Sequence, residues 1–252
     1  MRKLLLLLSI ITVLCLSTAP AMADVYGTAT VEYVGAIRGM TLQMTNTDTT
    51  TGVTWTDDLY AGLLQLDITA LSLTGPDTIP ADSYLNLGYE QAFCIDLWDL
   101  APTIPISGYA VKSLDEAPDP TAANPDGPMG PTKAAYIAEL LINNTYNTAQ
   151  DAAAVQVAIW EILEEEPGTT WNVSNTYGDF YLGTGTNEVA VATSANLMLT
   201  GITSGLSFDR YTALSLGAPK SPQDYVVIPT PAAILLGVLG LGAVGLKLRK
   251  FA

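Results

Sequence analysis

The chain has 252 residues, 49% hydrophobic and 14% charged, with 25 acidic against 10 basic side chains, a net charge of −15 and no histidine. Without a histidine base, a cysteine hydrolase or transglutaminase is not expected. All 25 acidic residues lie between residues 24 and 227, with only Arg38, Lys112, Lys133, Arg210 and Lys220 to oppose them, and a net −20 there argues against nucleic acid and anionic membrane as partners.

The first 23 residues read as a secretory signal: a basic Met1-Arg2-Lys3, an apolar run to residue 16, and the small-residue cleavage site Ala21-Met22-Ala23. Cys15 leaves with it, and Val13-Leu14 lacks the small residue expected beside a lipidated cysteine. Residues 24–227 follow, about 200 in number, enough for one domain with a substantial core or two small ones. Strand-like alternation covers residues 28–34, 40–45, 53–55, 63–68 and 92–97, rich in Thr, Val, Tyr and Leu and separated by Gly, Asp and Asn, so this half is predicted to be antiparallel β.

Seven prolines between residues 102 and 131 predict a long irregular loop. Helical spacing of Ala134, Ile137, Ala138 and Leu141 predicts a helix over 133–143 that ends at Asn143-Asn144. A second helix starts at the Thr148-x-x-Asp151 capping pattern, carries Ala152, Val155, Ile159 and Ile162, and stops at Pro167-Gly168, with Gln156 at its middle. A short strand over 180–182, a helix over 188–200 and a last strand over 225–228 complete the unit. Residues 228–252 contain Ile228-Pro229-Thr230-Pro231, a 15-residue uncharged stretch over 232–246, and the basic Lys247-Leu248-Arg249-Lys250. Fifteen residues is short for a span, which needs about 20.

Two residues carry the chemistry. Cys94, in Phe93-Cys94-Ile95-Asp96, is the single cysteine left after signal removal. On a strand it shares a face with Ala92 and Asp96, opposite Phe93, Ile95 and Leu97. Buried cysteines are commonly inert core residues, whereas an unpaired thiol in an oxidising compartment invites oxidation or pairing. Gln156, among Val155, Ile159 and Trp160, must find hydrogen bonds or lose about 1–3 kcal/mol to desolvation. A bond to nearby backbone satisfies it; alternatively the Cys94 thiol attacks its carbonyl, passes through a tetrahedral oxyanion and expels ammonia, leaving a thioester.

Phe93-Cys94-Ile95-Asp96, the helix pattern from Val155-Gln156 to Ile159-Trp160, Ala134-Ala135-Tyr136 with Asn143-Asn144, and Tyr60-Ala61-Gly62 resemble the bacterial thioester domains of surface adhesins. The resemblance implies an α+β fold, a β-rich core of antiparallel strands with a helical subdomain carrying Gln156, and a Cys94–Gln156 cross-link that captures amines of a partner protein or polysaccharide once, without a cofactor or enzymatic turnover; no Asp-x-Asp-x-Asp-Gly calcium loop is present, so no metal site is expected. Val155 stands where the family often has Thr. Asp96 would orient or deprotonate the amine, and Trp160 would wall the bond. The last 25 residues resemble the PEP-CTERM sorting signal, with Thr230 where Glu is usual, which implies processing by an exosortase, a short transmembrane segment before cleavage, and a place at the cell envelope or surface or in the extracellular matrix. A plain C-terminal anchor is the alternative for the tail, and a non-catalytic structural protein of an extracellular polysaccharide matrix is the alternative for the whole.

Overall fold

The computed structural model describes residues 25–48, 52–75, 85–97, 101–102, 104–118, 127–165, 168–174, 178–203, 206–216 and 222–229. The predicted signal sequence, the tail beyond Pro229 and part of the proline-rich segment lie outside the described residues.

Two long strands, β1 (Val25–Asp48) and β2 (Val53–Ser72), pair antiparallel from Thr28 opposite Ser72 to Asp48 opposite Val53. The alternation in sequence predicts two strands in place of each. The structure keeps each whole and absorbs the slips as register shifts between Thr30 and Val31, Tyr33 and Gly35, and Ala36 and Arg38. Such a bulge sets two residues against one, so the apolar pattern changes face while the ladder continues. Gly39 sits opposite Gly62. A Cβ at Gly39 would run into the Ala61 carbonyl and stand 2.6 Å from the Tyr60 ring, so glycine is what lets Tyr60 lie across β1.

The other strands are β3 (Gly88–Cys94), β4 (Ile106–Ser113), β5 (Phe180–Leu182), β6 (Thr212–Ser215) and β7 (Tyr225–Ile228). All pairings are antiparallel, and the order β1-β2-β3-β7-β6-β4 returns to β1, closing six strands into a ring. Closure gives each member a neighbouring strand on both edges, which an open sheet cannot do. The seventh strand, β5, pairs with β1 through Met44, Thr45 and Asn46, where β1 and β2 run on beyond the ring. The fold is α+β with an antiparallel sheet and three helices, as the sequence predicts.

Two expectations are corrected here. The proline-rich segment is not one irregular loop, because Ile106–Ser113 forms β4 between β1 and β6, and a 3-10 turn, Leu114–Glu116, follows. No proline falls between Pro105 and Pro118, and that gap is long enough for a strand. The strand carrying Cys94 ends at Cys94 itself and does not reach Leu97.

The helices are α1 (Gly130–Asn143), α2 (Ala149–Glu164) and α3 (Thr186–Thr200). In α1, Asn144 caps the end by donating from Nδ2 to the Leu140 carbonyl at 2.9 Å. Helix α2 begins as predicted, with Thr148 Oγ1 accepting from the Asp151 N–H at 3.1 Å and donating to Asp151 Oδ2 at 2.7 Å. Every residue from Ala152 to Ile162 is buried, because α2 is enclosed by α1, α3 and the long β1–β2 pair. A helix covered on all sides carries apolar residues all round, and this one admits only Gln156 and Glu161 as polar members of that buried run. Among the described residues no helix is long and apolar enough to cross a membrane.

Candidate functional site

Cys94 and Gln156, 62 residues apart in sequence, meet at the junction of β3 and α2. The Cys94 N–H donates to Gln156 Oε1 at 2.9 Å, and Gln156 Nε2 donates to the Cys94 carbonyl at 2.8 Å. The reason lies in the ladder. Ile95 N–H donates to the Asp224 carbonyl on the β7 side at 3.0 Å, so by alternation the N–H and C=O of Cys94 face the opposite edge. There β2 has already left β3, the last paired residues being Leu64 and Ala92. The Gln156 carboxamide occupies the vacated edge and pairs as a peptide group would. Leaving either Cys94 group unpaired would cost about 1–3 kcal/mol, and Gln156 is itself 0% exposed.

A cavity of about 160 Å³ opens beside Cys94. Tyr33, Leu59, Tyr60 and Leu64 of the long strands line it, with Leu97, Ala101, Trp160 and Gln223 completing the wall around Cys94. Gln156 is not among the lining residues. Leu97, expected on the face away from Cys94, shares the cavity with it because the chain turns after the strand ends. Trp160 packs edge-on against Phe180, centroids 6.2 Å apart, and its buried indole N–H has no hydrogen-bond partner among the described residues. Its ring forms part of the cavity wall.

Burial pushes the Cys94 thiol well up, the Asp96 carboxylate pushes it further, and a hydrogen bond from the Gln223 side chain pulls it down. A thiolate is therefore disfavoured at neutral pH, and the site holds the sulfur neutral. Tyr33 and Tyr60 are also raised, by burial first and then by Cys94 and Tyr33 respectively, so both present neutral hydroxyls. Asp96 is 1% exposed and is not part of the cavity lining; its charge reaches Cys94, and its backbone carbonyl accepts from Gln223 Nε2 at 3.1 Å. Tyr225 lies directly across the ladder from Cys94, with its hydroxyl buried and unpartnered among the described residues.

A second buried polar group sits further along α2. Glu161 Oε1 accepts from the Asn172 N–H at 2.6 Å, and its carboxyl is pushed up to about 8, chiefly by burial, with Glu165 and Asp179 adding to the rise. Among the described residues no cluster of three or more Cys, Asp or Glu side chains is arranged to hold a metal ion.

Sequence reasoning singled out Cys94, Gln156, Asp96 and Trp160, and the structure brings all four to one junction. It missed Gln223 and Tyr33, which reach Cys94 through strand pairing across the sheet. The chain has no significant match among protein-family models, curated proteins or solved structures.

Proposed function

We propose that Cys94 and Gln156 form an internal thioester, and that the protein is an exported, envelope-associated module which uses it to capture amines covalently. The observation that carries this reading is the pair of hydrogen bonds holding the Gln156 carboxamide on the Cys94 backbone. They fix the carbonyl carbon beside the residue that bears the thiol, which is the proximity an intramolecular acyl transfer needs. The Cys94 N–H already points at Gln156 Oε1, where it would receive the oxyanion of the tetrahedral intermediate. Sulfur bonds to the carbonyl carbon, the C–N bond breaks, and Nε2 leaves as ammonia with the thiol proton, giving up its bond to the Cys94 carbonyl.

Capture reverses the polarity of that exchange. An amine on a partner protein or polysaccharide adds to the acyl carbon, the C–S bond breaks, and an amide forms at residue 156 with the thiol freed. The largely aromatic and aliphatic wall, with Leu64, Leu97 and Trp160 buried in it, limits the water that competes. A single turnover of this kind is attachment and not catalysis, and it calls for no cofactor. Incubation with methylamine should add one methylamine at residue 156 and free the Cys94 thiol, as read by peptide mass spectrometry. A matrix extract should yield adducts at the same residue that survive boiling in detergent, and wild-type protein that takes up no amine argues for the other reading. That reading, a structural matrix protein, is favoured by one feature of the same geometry: both polar groups of Gln156 are satisfied without any covalent bond.

A further inference from the structure

Gln223 is fixed by hydrogen bonds at its carbonyl and its side chain, yet neither strand pairing nor the Cys94–Gln156 contact requires that side chain. Its carbonyl accepts from the Tyr109 hydroxyl at 3.1 Å. The next residue, Asp224, accepts from the Ser215 hydroxyl at 2.6 Å and the Leu216 N–H at 2.9 Å, and its carbonyl takes the Ile95 N–H. With the backbone pinned on both sides, the Gln223 side chain joins Cys94 in the cavity lining, donates to the Asp96 carbonyl at 3.1 Å and stands within reach of the Cys94 thiol, whose pKa its hydrogen bonding lowers. It is a carboxamide in a wall otherwise made largely of aliphatic and aromatic side chains.

We propose that Gln223 is the donor that positions the Cys94 sulfur for capture and stabilises it as it departs. The inference rests on the thioester reading above. In the capture step the amine nitrogen bonds to the acyl carbon of residue 156, the electron pair of the breaking C–S bond goes to sulfur, and the surplus amine proton ends on the thiol or in solvent. Negative charge thus develops on an atom that burial and Asp96 both disfavour as an anion, and an N–H aimed at it acts where the charge appears.

The test compares wild type, Gln223→Met and Gln223→Glu as purified protein, with intact mass to establish the thioester, thermal melting to establish the fold, and free-thiol appearance to follow methylamine capture over a range of pH. Methionine keeps the length and removes the donor, and loss of a hydrogen bond to a charged atom predicts capture about ten- to a hundred-fold slower. Glutamic acid donates only while protonated, so the rate of Gln223→Glu relative to wild type should fall as pH rises through the carboxyl titration, which a merely structural role would not produce. If Gln223→Met does not fold, that pH profile carries the test. Wild-type rates in folded variants that keep the thioester would overturn the proposal. So would a mass deficit lost in Gln223→Met and kept in Gln156→Ala, which would make Gln223 the acyl partner. A wild type at full mass overturns the thioester reading itself, and is seen before any variant is made.

Discussion

A double-mutant cycle on Cys94 and Gln156 separates a covalent bond from a hydrogen-bonded pair. The bond would close a loop of 62 residues, and the chain-entropy relation for such a loop gives about 4 kcal/mol. Cys94→Ala would lose that amount plus about 1 kcal/mol for the missing buried sulfur. Gln156→Leu would lose the same cross-link and also leave the Cys94 N–H without a partner in a site where Cys94 is 4% exposed, a further 1–3 kcal/mol or so. Because the cross-link can be lost only once, the double variant should fall short of the sum by about 4 kcal/mol. Without the bond, Cys94→Ala should cost only about 1 kcal/mol, Gln156→Leu should cost about 2–6 kcal/mol for two orphaned groups, and no overlap of that size should remain. Urea unfolding at equal slopes measures all four corners. A cycle that closes to within about 0.5 kcal/mol of additivity, in protein whose thioester is proven by mass, would refute the loop-closure reasoning.

Two further outcomes follow from burial. Trp160→Ala, at a residue 2% exposed against the cavity, should cost about 3–5 kcal/mol and shorten the life of the thioester in water, seen as faster gain of one water by mass; an unchanged lifetime would show that Trp160 does not keep water out. Glu161 has a folded pKa of about 8, raised above its unfolded value, so the folded state binds the extra proton: its contribution is fully present below about pH 4.5 and is lost as pH rises to about 8. The swing is roughly 3–5 kcal/mol. Glu161→Gln should flatten the stability profile between those limits, and a profile that keeps its wild-type slope there would contradict the assignment.

What could be read from the sequence divides by range. Helix α2 and its start were legible because the Thr148–Asp151 cap and the apolar spacing are local signals, and β7 was legible as four consecutive apolar or aromatic residues. Strand β4 was hidden by reading the density of prolines instead of the gap between Pro105 and Pro118, and β6, only four residues long, has no pattern of its own. At the site, Cys94 and Gln156 were legible as odd residues in their settings. Gln223 was not, because what brings it to the sulfur is the register that sets Tyr225 against Cys94, a property of the closed ring and not of any local segment. The continuity of β1 was hidden for a similar reason: its bulges shift the alternation, and only pairing with β2 shows that the ladder goes on.

The most direct test of the account is the intact mass of purified, untreated protein. The thioester predicts a wild type lighter than its mature sequence by one ammonia, with Cys94→Ala and Gln156→Ala each at the full mass expected for them. A wild type at full mass, whose Cys94 thiol is alkylated stoichiometrically once the chain is unfolded, would contradict it and leave Gln156 as a hydrogen-bonded substitute for a missing strand.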